Sequence, residues 1–250
     1  MNEFVTKKQI KAVKSLDTLK GRKAENAFKA EGTKCVIDTM DHFRLKGLYA
    51  TADWITSHPL KGIVPTEVGR GVLGEMSSLT RAADVIAVYE LPVYNLPSDS
   101  ARENLVLALD TIQDPGNLGT IMRVADWFGI HRIIASRETA DCYSPKVVQA
   151  TMGAISRVKV TYGDLPELID YLDSPHVFGT FLDGSPIGET KLSSNGIIVI
   201  GNEGNGISAE VERKVTSRLF IPPFPPGAET AESLNAAVAT AITIAKFRGL

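Results

Sequence analysis

Apolar and polar positions alternate along this chain in two different rhythms. Ile10, Val13, Leu16 and Leu19 recur at helical spacing and predict an amphipathic helix, closed by a Lys20-Gly21-Arg22-Lys23 turn. After Phe28, a second helix is predicted to begin at Glu31-Gly32 and run through Val36, Ile37 and Met40. Residues 45–50 and 63–64 have the pattern of strands, with a helix between them at 53–57, and 84–89 is a further strand. Residues 91–100 follow, with two prolines, a polar cluster and no periodicity, and make the best linker in the chain.

Beyond the linker the rhythm changes. Short apolar runs at 105–109, 132–135, 158–160, 177–182, 197–200 and 219–221 alternate with helical segments at 117–128, 147–153, 165–172, 208–215 and 233–247. Continuous apolar strands alternating with helices predict a parallel sheet covered on both faces. Ligands of such sheets sit beyond the carboxyl ends of the strands. The chain is therefore expected to be α/β throughout, with a smaller α/β domain at 1–95 and a larger parallel-sheet domain at 96–250.

Composition changes this picture little: 250 residues at 44% hydrophobic suffice for two cores. The longest apolar stretches, 196–201 and 236–245, are well short of the ~20 residues that span a bilayer. The first residues show no secretion signal, so a cytoplasmic protein without membrane contact is expected. Cys35 and Cys142 stand far apart, and His42, His58, His131 and His176 are scattered, so neither a metal site nor a catalytic triad is expected.

Charge is uneven. Residues 1–95 hold 14 Lys/Arg against 11 Asp/Glu, whereas the rest hold 13 against 18. Nine basic residues fall within 1–35: Lys7, Lys8, Lys11, Lys14, Lys20, Arg22, Lys23, Lys29 and Lys34. They suit a face that tracks phosphates, although a solvated helix face has the same composition.

Three strand-end loops carry the chemistry. The first runs from Asp110 through Asp114-Pro115-Gly116-Asn117 to Arg123, which falls nearly two helical turns after Asn117, so that the two share a face. A turn with a capping asparagine and a surface cation has the same sequence. The second, Gly201-Asn202-Glu203-Gly204-Asn205-Gly206, follows the fully apolar strand 197–200, and its glycines let backbone approach a ligand closely. It lacks both the dinucleotide fingerprint and the Lys-Ser/Thr of a phosphate loop. The third, Ile221-Pro222-Pro223 onward to Ser233-Leu234-Asn235, is stiffened by prolines and leads into an alanine-rich helix that Thr230 or Ser233 is positioned to cap.

Taken together, in this order and spacing, these loops resemble the three signature motifs of the SpoU/TrmH methyltransferases of the SPOUT superfamily. The N-terminal residues Lys20-Gly21-Arg22-Lys23 and Phe28-Lys29-Ala30-Glu31-Gly32 are similar to the substrate-binding domain many of these enzymes carry, departing from it at 24–27. That domain in turn resembles small ribosomal RNA-binding proteins. The resemblance implies a deep trefoil knot in the C-terminal domain, a homodimer, and S-adenosylmethionine as cofactor. It implies methyl transfer to a ribose 2′-hydroxyl of RNA, and the two-domain layout favours rRNA over tRNA.

Carried onto this sequence, the family pattern assigns Gly201, Ile221 and Leu234 to the adenosine part of the cofactor, with Pro222 and Pro223 stiffening the wall. Thr180 and Leu182, at another strand end, are further expected contacts. Arg123 becomes the catalytic arginine, and a guanidinium, which is a poor base, suits gripping phosphate and stabilising an alkoxide better than removing a proton. Asn117, Glu203, Ser233 and Asn235 position the ribose or lock the loops. The alternatives are a non-catalytic RNA-binding protein that keeps this fold, a dehydrogenase, and a methyltransferase of small molecules. Cofactor binding and methyl transfer separate the first from an enzyme, and the missing dinucleotide fingerprint weighs against the second.

Overall fold

The structure is a computed structural model that describes residues 5–225 and 231–250. In chain order the elements of the first part are α1 (Lys7–Ser15), α2 (Leu19–Glu25), β1 (Ala27–Glu31), α3 (Thr33–Thr39), β2 (Leu45–Ala50), α4 (Ala52–Ser57), β3 (Thr66–Glu67), α5 (Arg70–Met76) and β4 (Val85–Glu90). There follow α6 (Ser100–Glu103), β5 (Leu105–Leu109), α7 (Pro115–Trp127), β6 (Arg132–Ser136), α8 (Pro145–Thr151), β7 (Lys159–Gly163), α9 (Leu165–Tyr171) and β8 (Val177–Phe181). The last are β9 (Ser185–Pro186), β10 (Gly196–Ile200), α10 (Ala209–Glu212), β11 (Ser217–Phe220) and α11 (Ala236–Phe247). They form two compact units, residues 1–93 with 141–156, and 94–140 with 157–250.

The first unit is built on a sheet of order β1-β4-β2-β3, antiparallel except for the β2–β3 pair. Thr6 opens α1 with a capping box to Gln9, and Thr18 caps α2 through the Gly21 N–H. The predicted first helix is thus two helices, broken at 16–18, and Lys20–Lys23 lies in α2 rather than in a turn. Val13, Leu16, Leu73, Met76 and Ile86 form the core on which α1 and α5 sit. The segment 141–156 completes this unit: Arg22 donates to Asp141 at 2.6 Å, and the Tyr143 and Phe28 rings lie 4.8 Å apart.

Strand β1 was not legible, because its polar residues are buried. Lys29 and Glu31 are 1% and 3% exposed. Lys29 Nζ reaches Asp17 Oδ1 at 2.8 Å, Glu31 Oε1 at 3.2 Å and the Met76 carbonyl at 2.5 Å, while Glu31 also accepts from Ser77 and Ser78. A buried charge persists only when paired in this way. The short strand expected at 63–64 lies instead at Thr66–Glu67, and α5 was not anticipated.

Internal pairing also shrinks the expected basic face. Arg22 and Lys29 point inward, Lys14 pairs with Asp17, and Lys34 pairs with Asp38. Lys7, Lys8, Lys11, Lys20 and Lys23 remain exposed and without an ionic partner among the described residues.

The second unit carries the predicted parallel sheet, of order β7-β6-β5-β10-β8-β11-β9 among the described residues. Its pairings are parallel. Ile197, Ile198, Val199 and Ile200 of the central strand β10 are at most 1% exposed, so side chains on both of its faces are covered. Each such side chain contributes roughly 1.5–3 kcal/mol on burial. Helices α7 and α8 start alike, an acid or serine cap (Asp114, Ser144) followed by proline in the first turn, where its missing N–H costs nothing. The carboxyl ends of β5, β10, β8 and β11 stand side by side in the sheet, and the three loops singled out in the sequence leave from β5, β10 and β11.

Candidate active site

The site is built where the first two loops leave neighbouring strands. Ile200 ends β10 in register with Leu109 of β5, so Gly201 departs beside Asp110. The loop then closes on itself: Asn202 and Gly206 exchange backbone hydrogen bonds at 3.0 and 2.9 Å, and Asn202 Oδ1 accepts from the N–H groups of Gly204 and Asn205. Glycine is required at 201 for space. A Cβ there would sit 2.4 Å from the Gly206 carbonyl carbon and 2.5 Å from the Ile207 nitrogen. Gly206 has φ 69°, a conformation glycine adopts at no steric cost.

The loops are tied by side chains. Asn202 Nδ2 donates to the Thr111 carbonyl at 2.9 Å. Asn117 Nδ2 donates to Glu203 Oε1, and Asn117 Oδ1 accepts from Asn235 Nδ2 at 2.9 Å. Asn235 Oδ1 in turn accepts from the Ala237 and Val238 N–H groups at 3.0 and 3.3 Å and so caps α11. A continuous polar chain therefore runs from Glu203 through Asn117 and Asn235 to a helix N-terminus.

The cap of α11 is thus Asn235, not Ser233, and the alternative cap Thr230 lies outside the described residues. Ser233 is exposed and has no hydrogen-bond partner among the described residues. Asn117 is not a cap either, since Asp114 accepts its N–H at 2.8 Å. Arg123 is exposed on α7 and makes no ion pair or hydrogen bond among the described residues, which leaves its guanidinium open to an anion.

Of the expected cofactor residues, Gly201, Thr180, Leu182 and Ile221 lie at strand ends, and Leu234 immediately precedes the cap of α11. Thr180, in β8, donates to the Val199 carbonyl at 3.3 Å, while Leu182 just beyond it is 70% exposed. Ile221 follows β11 and is half-buried, and Leu234 is 46% exposed. Apolar side chains left uncovered beside backbone polar groups suit an adenosine, which they would enclose while main-chain groups read the base. Asp183 is engaged elsewhere: with Glu212 it holds Arg218, whose guanidinium lies 3.6 Å from the centre of the Phe181 ring. Hydrogen bonding to Asp183, foremost among the causes, raises the Arg218 pKa further. Among the described residues no group of His, Cys, Asp or Glu converges on a metal site.

The sequence did not disclose Asp110, Thr111 or Asn202 as parts of this cluster. The one signal available for Asp110 is its place directly after an apolar strand, at the carboxyl end where ligand sites of parallel sheets lie.

These features agree with the sequence comparisons, and the chain belongs to the SpoU rRNA methylase family, which it matches over residues 104–245. Residues 7–87 match the MRM3-like substrate binding domain. The 23S rRNA (guanosine(2553)-2′-O)-methyltransferase RlmP of Bacillus subtilis is 30% identical, over 99% of this chain and 98% of that protein. Among solved structures, a protein assigned to the TrmH family of RNA methyltransferases from Porphyromonas gingivalis superposes with a TM-score of 0.86 at 36% identity, covering 98% of each chain. An AdoMet-bound rRNA methyltransferase from Sinorhizobium meliloti superposes with a TM-score of 0.84 at 28% identity, covering 98% of this chain and 96% of that one. The second unit thus has the α/β fold with a parallel sheet seen in these enzymes.

Proposed function

We propose that this chain transfers a methyl group from S-adenosylmethionine to a ribose 2′-hydroxyl of RNA, with rRNA as the substrate class. The observation that carries the reading is the polar chain from Glu203 through Asn117 to Asn235, which links one residue from each of the three motif loops. Likeness over nearly the whole chain to a 23S rRNA methyltransferase favours rRNA over tRNA. The first unit, with its match to a substrate binding domain, is the proposed RNA-holding part.

S-adenosylmethionine supplies an already electrophilic methyl group, so the protein's tasks are to orient the reactants and to manage one proton. Gly201, Ile221, Leu234, Thr180 and Leu182 hold the adenosine side. Glu203 accepts one amide hydrogen of Asn117 and thereby turns Asn117 Oδ1 toward Asn235, which fixes the direction of both amides. This rigid edge, with Ser233 beside it, positions the ribose. Arg123 binds the phosphate next to the target sugar and stabilises the charge that develops on the 2′-oxygen. The 2′-hydroxyl proton leaves to phosphate or solvent, since a guanidinium offers donors and no acceptor.

The trefoil knot, the homodimer and a cytoplasmic location belong to the same proposal. Support for the knot is the place of β10 between β5 and β8, with Asn235 returning to Asn117 after β11. Support for a dimer is apolar surface left bare on α7 and α11, which pack together: Trp127 is 85% exposed and Val238 47%. No helix among the described residues is long and apolar enough to cross a membrane. Calorimetric titration with S-adenosylmethionine tests the reading: saturable binding is expected, and no binding would contradict it.

A further inference from the structure

The loop that leaves β10 is closed by a buried acid that lies outside the polar chain of the site. Asp110 is 4% exposed. Its N–H extends the sheet ladder by donating to the Ile200 carbonyl at 2.9 Å, where the loop departs. Its side chain holds the other end: Oδ2 accepts from the Ser208 N–H at 2.7 Å, where the loop gives way to α10. Oδ1 accepts from the Thr111 hydroxyl at 3.1 Å.

The neighbouring residue reinforces the arrangement. Thr111 has φ 59°, a left-handed conformation that β-branched residues rarely adopt. In it, the Thr111 carbonyl accepts from Asn202 Nδ2 at 2.9 Å and its N–H donates to Ser136 Oγ at 3.0 Å. Such a conformation persists only where the surroundings over-determine it. Two consecutive residues after β5 therefore grip the Gly201–Ser208 loop at its two ends, at Asn202 and at Ser208.

We propose that Asp110 is a positioning residue whose carboxyl sets the backbone of the Gly201–Ile207 loop for S-adenosylmethionine. The proposal rests on the reading of that loop as part of the cofactor wall. Asp110 touches neither reactant in it and acts only through Ser208 and the loop.

The test is calorimetric titration of the full chain with S-adenosylmethionine, together with steady-state methyl transfer, for wild type, Asp110→Ala, Asp110→Asn and Ser208→Pro. Asp110→Asn keeps an acceptor oxygen for Ser208. Ser208→Pro removes the donor at a position whose φ of −63° proline shares. Losing the hydrogen bond between the Ser208 N–H and the buried Asp110 carboxyl predicts cofactor affinity weaker by about 10- to 100-fold in Asp110→Ala, which removes the acceptor, and in Ser208→Pro, which removes the donor. The KM for RNA stays unchanged, and Asp110→Asn recovers affinity to within about threefold.

A purely structural role has another signature: a lower kcat from a smaller folded fraction, both KM values unmoved, and no rescue by asparagine. That pattern, or unchanged affinity in Asp110→Ala, overturns the proposal. Should Asp110→Ala fail to fold, Ser208→Pro decides by the same criteria, since it leaves the carboxyl in place. Failure of the wild type to bind S-adenosylmethionine contradicts the functional reading itself, and is distinguishable because it appears before any variant is compared.

Discussion

Asn235 donates through Nδ2 to Oδ1 of Asn117 at 2.9 Å, joining residues 118 positions apart. One side chain so serves two ends: its oxygen caps α11, and its nitrogen fixes the amide of Asn117, whose own nitrogen is held by Glu203. Fold stability and site geometry meet at this residue, and substitutions can separate them.

Asn235→Ala removes both functions, and should cost about 1 kcal/mol of stability from the lost cap together with most of the methyl transfer. Asn235→Asp keeps an oxygen for the cap but sets an acceptor against Asn117 Oδ1. Its melting temperature should stay near wild type while activity falls as in the alanine variant. Thermal melts beside single-turnover rates check this, and equal activity in Asn235→Asp and wild type would remove Asn235 from the positioning role.

Gly201→Ala and Gly206→Ala should differ in kind. At 201 the new Cβ meets backbone at 2.4–2.6 Å, so the loop must move, and cofactor affinity is expected to drop by more than about 10-fold. At 206 nothing lies within 4 Å, and only the left-handed backbone is penalised, by about 1–2 kcal/mol. Calorimetry on both variants reads the contrast.

The basic residues of the first unit divide into two groups with opposite phenotypes. Arg22, whose side chain is 4% exposed and paired with Asp141, is structural. Arg22→Ala should cost about 1–3 kcal/mol, since the Asp141 carboxylate left behind is 23% exposed and so only partly desolvated. Glutamine at Lys7, Lys8, Lys11, Lys20 and Lys23 should leave urea midpoints unchanged and weaken RNA binding. Each RNA phosphate that such a change leaves without its lysine should lower the salt slope by roughly 0.7–0.9.

Alkaline pH should destabilise the first unit through Cys35. Burial, with Asp38 as the next cause, raises this thiol from 9.0 to about 11. The folded state holds the proton more tightly than the unfolded state does. The contribution is therefore complete below pH 9, is lost as pH rises toward about 11, and amounts to roughly 2–3 kcal/mol. Urea midpoints between pH 8 and 11 should fall, with a shallower fall in Cys35→Ala. Burial of Tyr89 acts in the same direction. An identical pH profile for Cys35→Ala and wild type would refute the assignment.

The second unit was largely legible in the sequence because its strands are unbroken apolar runs: 105–109 and 197–200 lie within β5 and β10. The first unit was less so. Lys29 and Glu31 neutralise each other inside the fold, and a strand carrying them has no apolar alternation to read. Likewise Val147 and Val148 mark α8 as buried without telling that it packs on β1. Of the site, the motif residues were visible, but the bonds among Glu203, Asn117 and Asn235 depend on long-range return of the chain. Asp110 looked like any polar residue at a strand end.

The central claim is tested most directly by transfer of labelled methyl from S-adenosylmethionine to total RNA from a strain lacking this gene, with Arg123→Ala alongside. The account predicts label on a ribose of rRNA with the wild-type chain, and a loss of about 100-fold or more with Arg123→Ala at unchanged cofactor affinity. Label on a base, label that persists in Arg123→Ala, or no label from a chain that binds S-adenosylmethionine would contradict it.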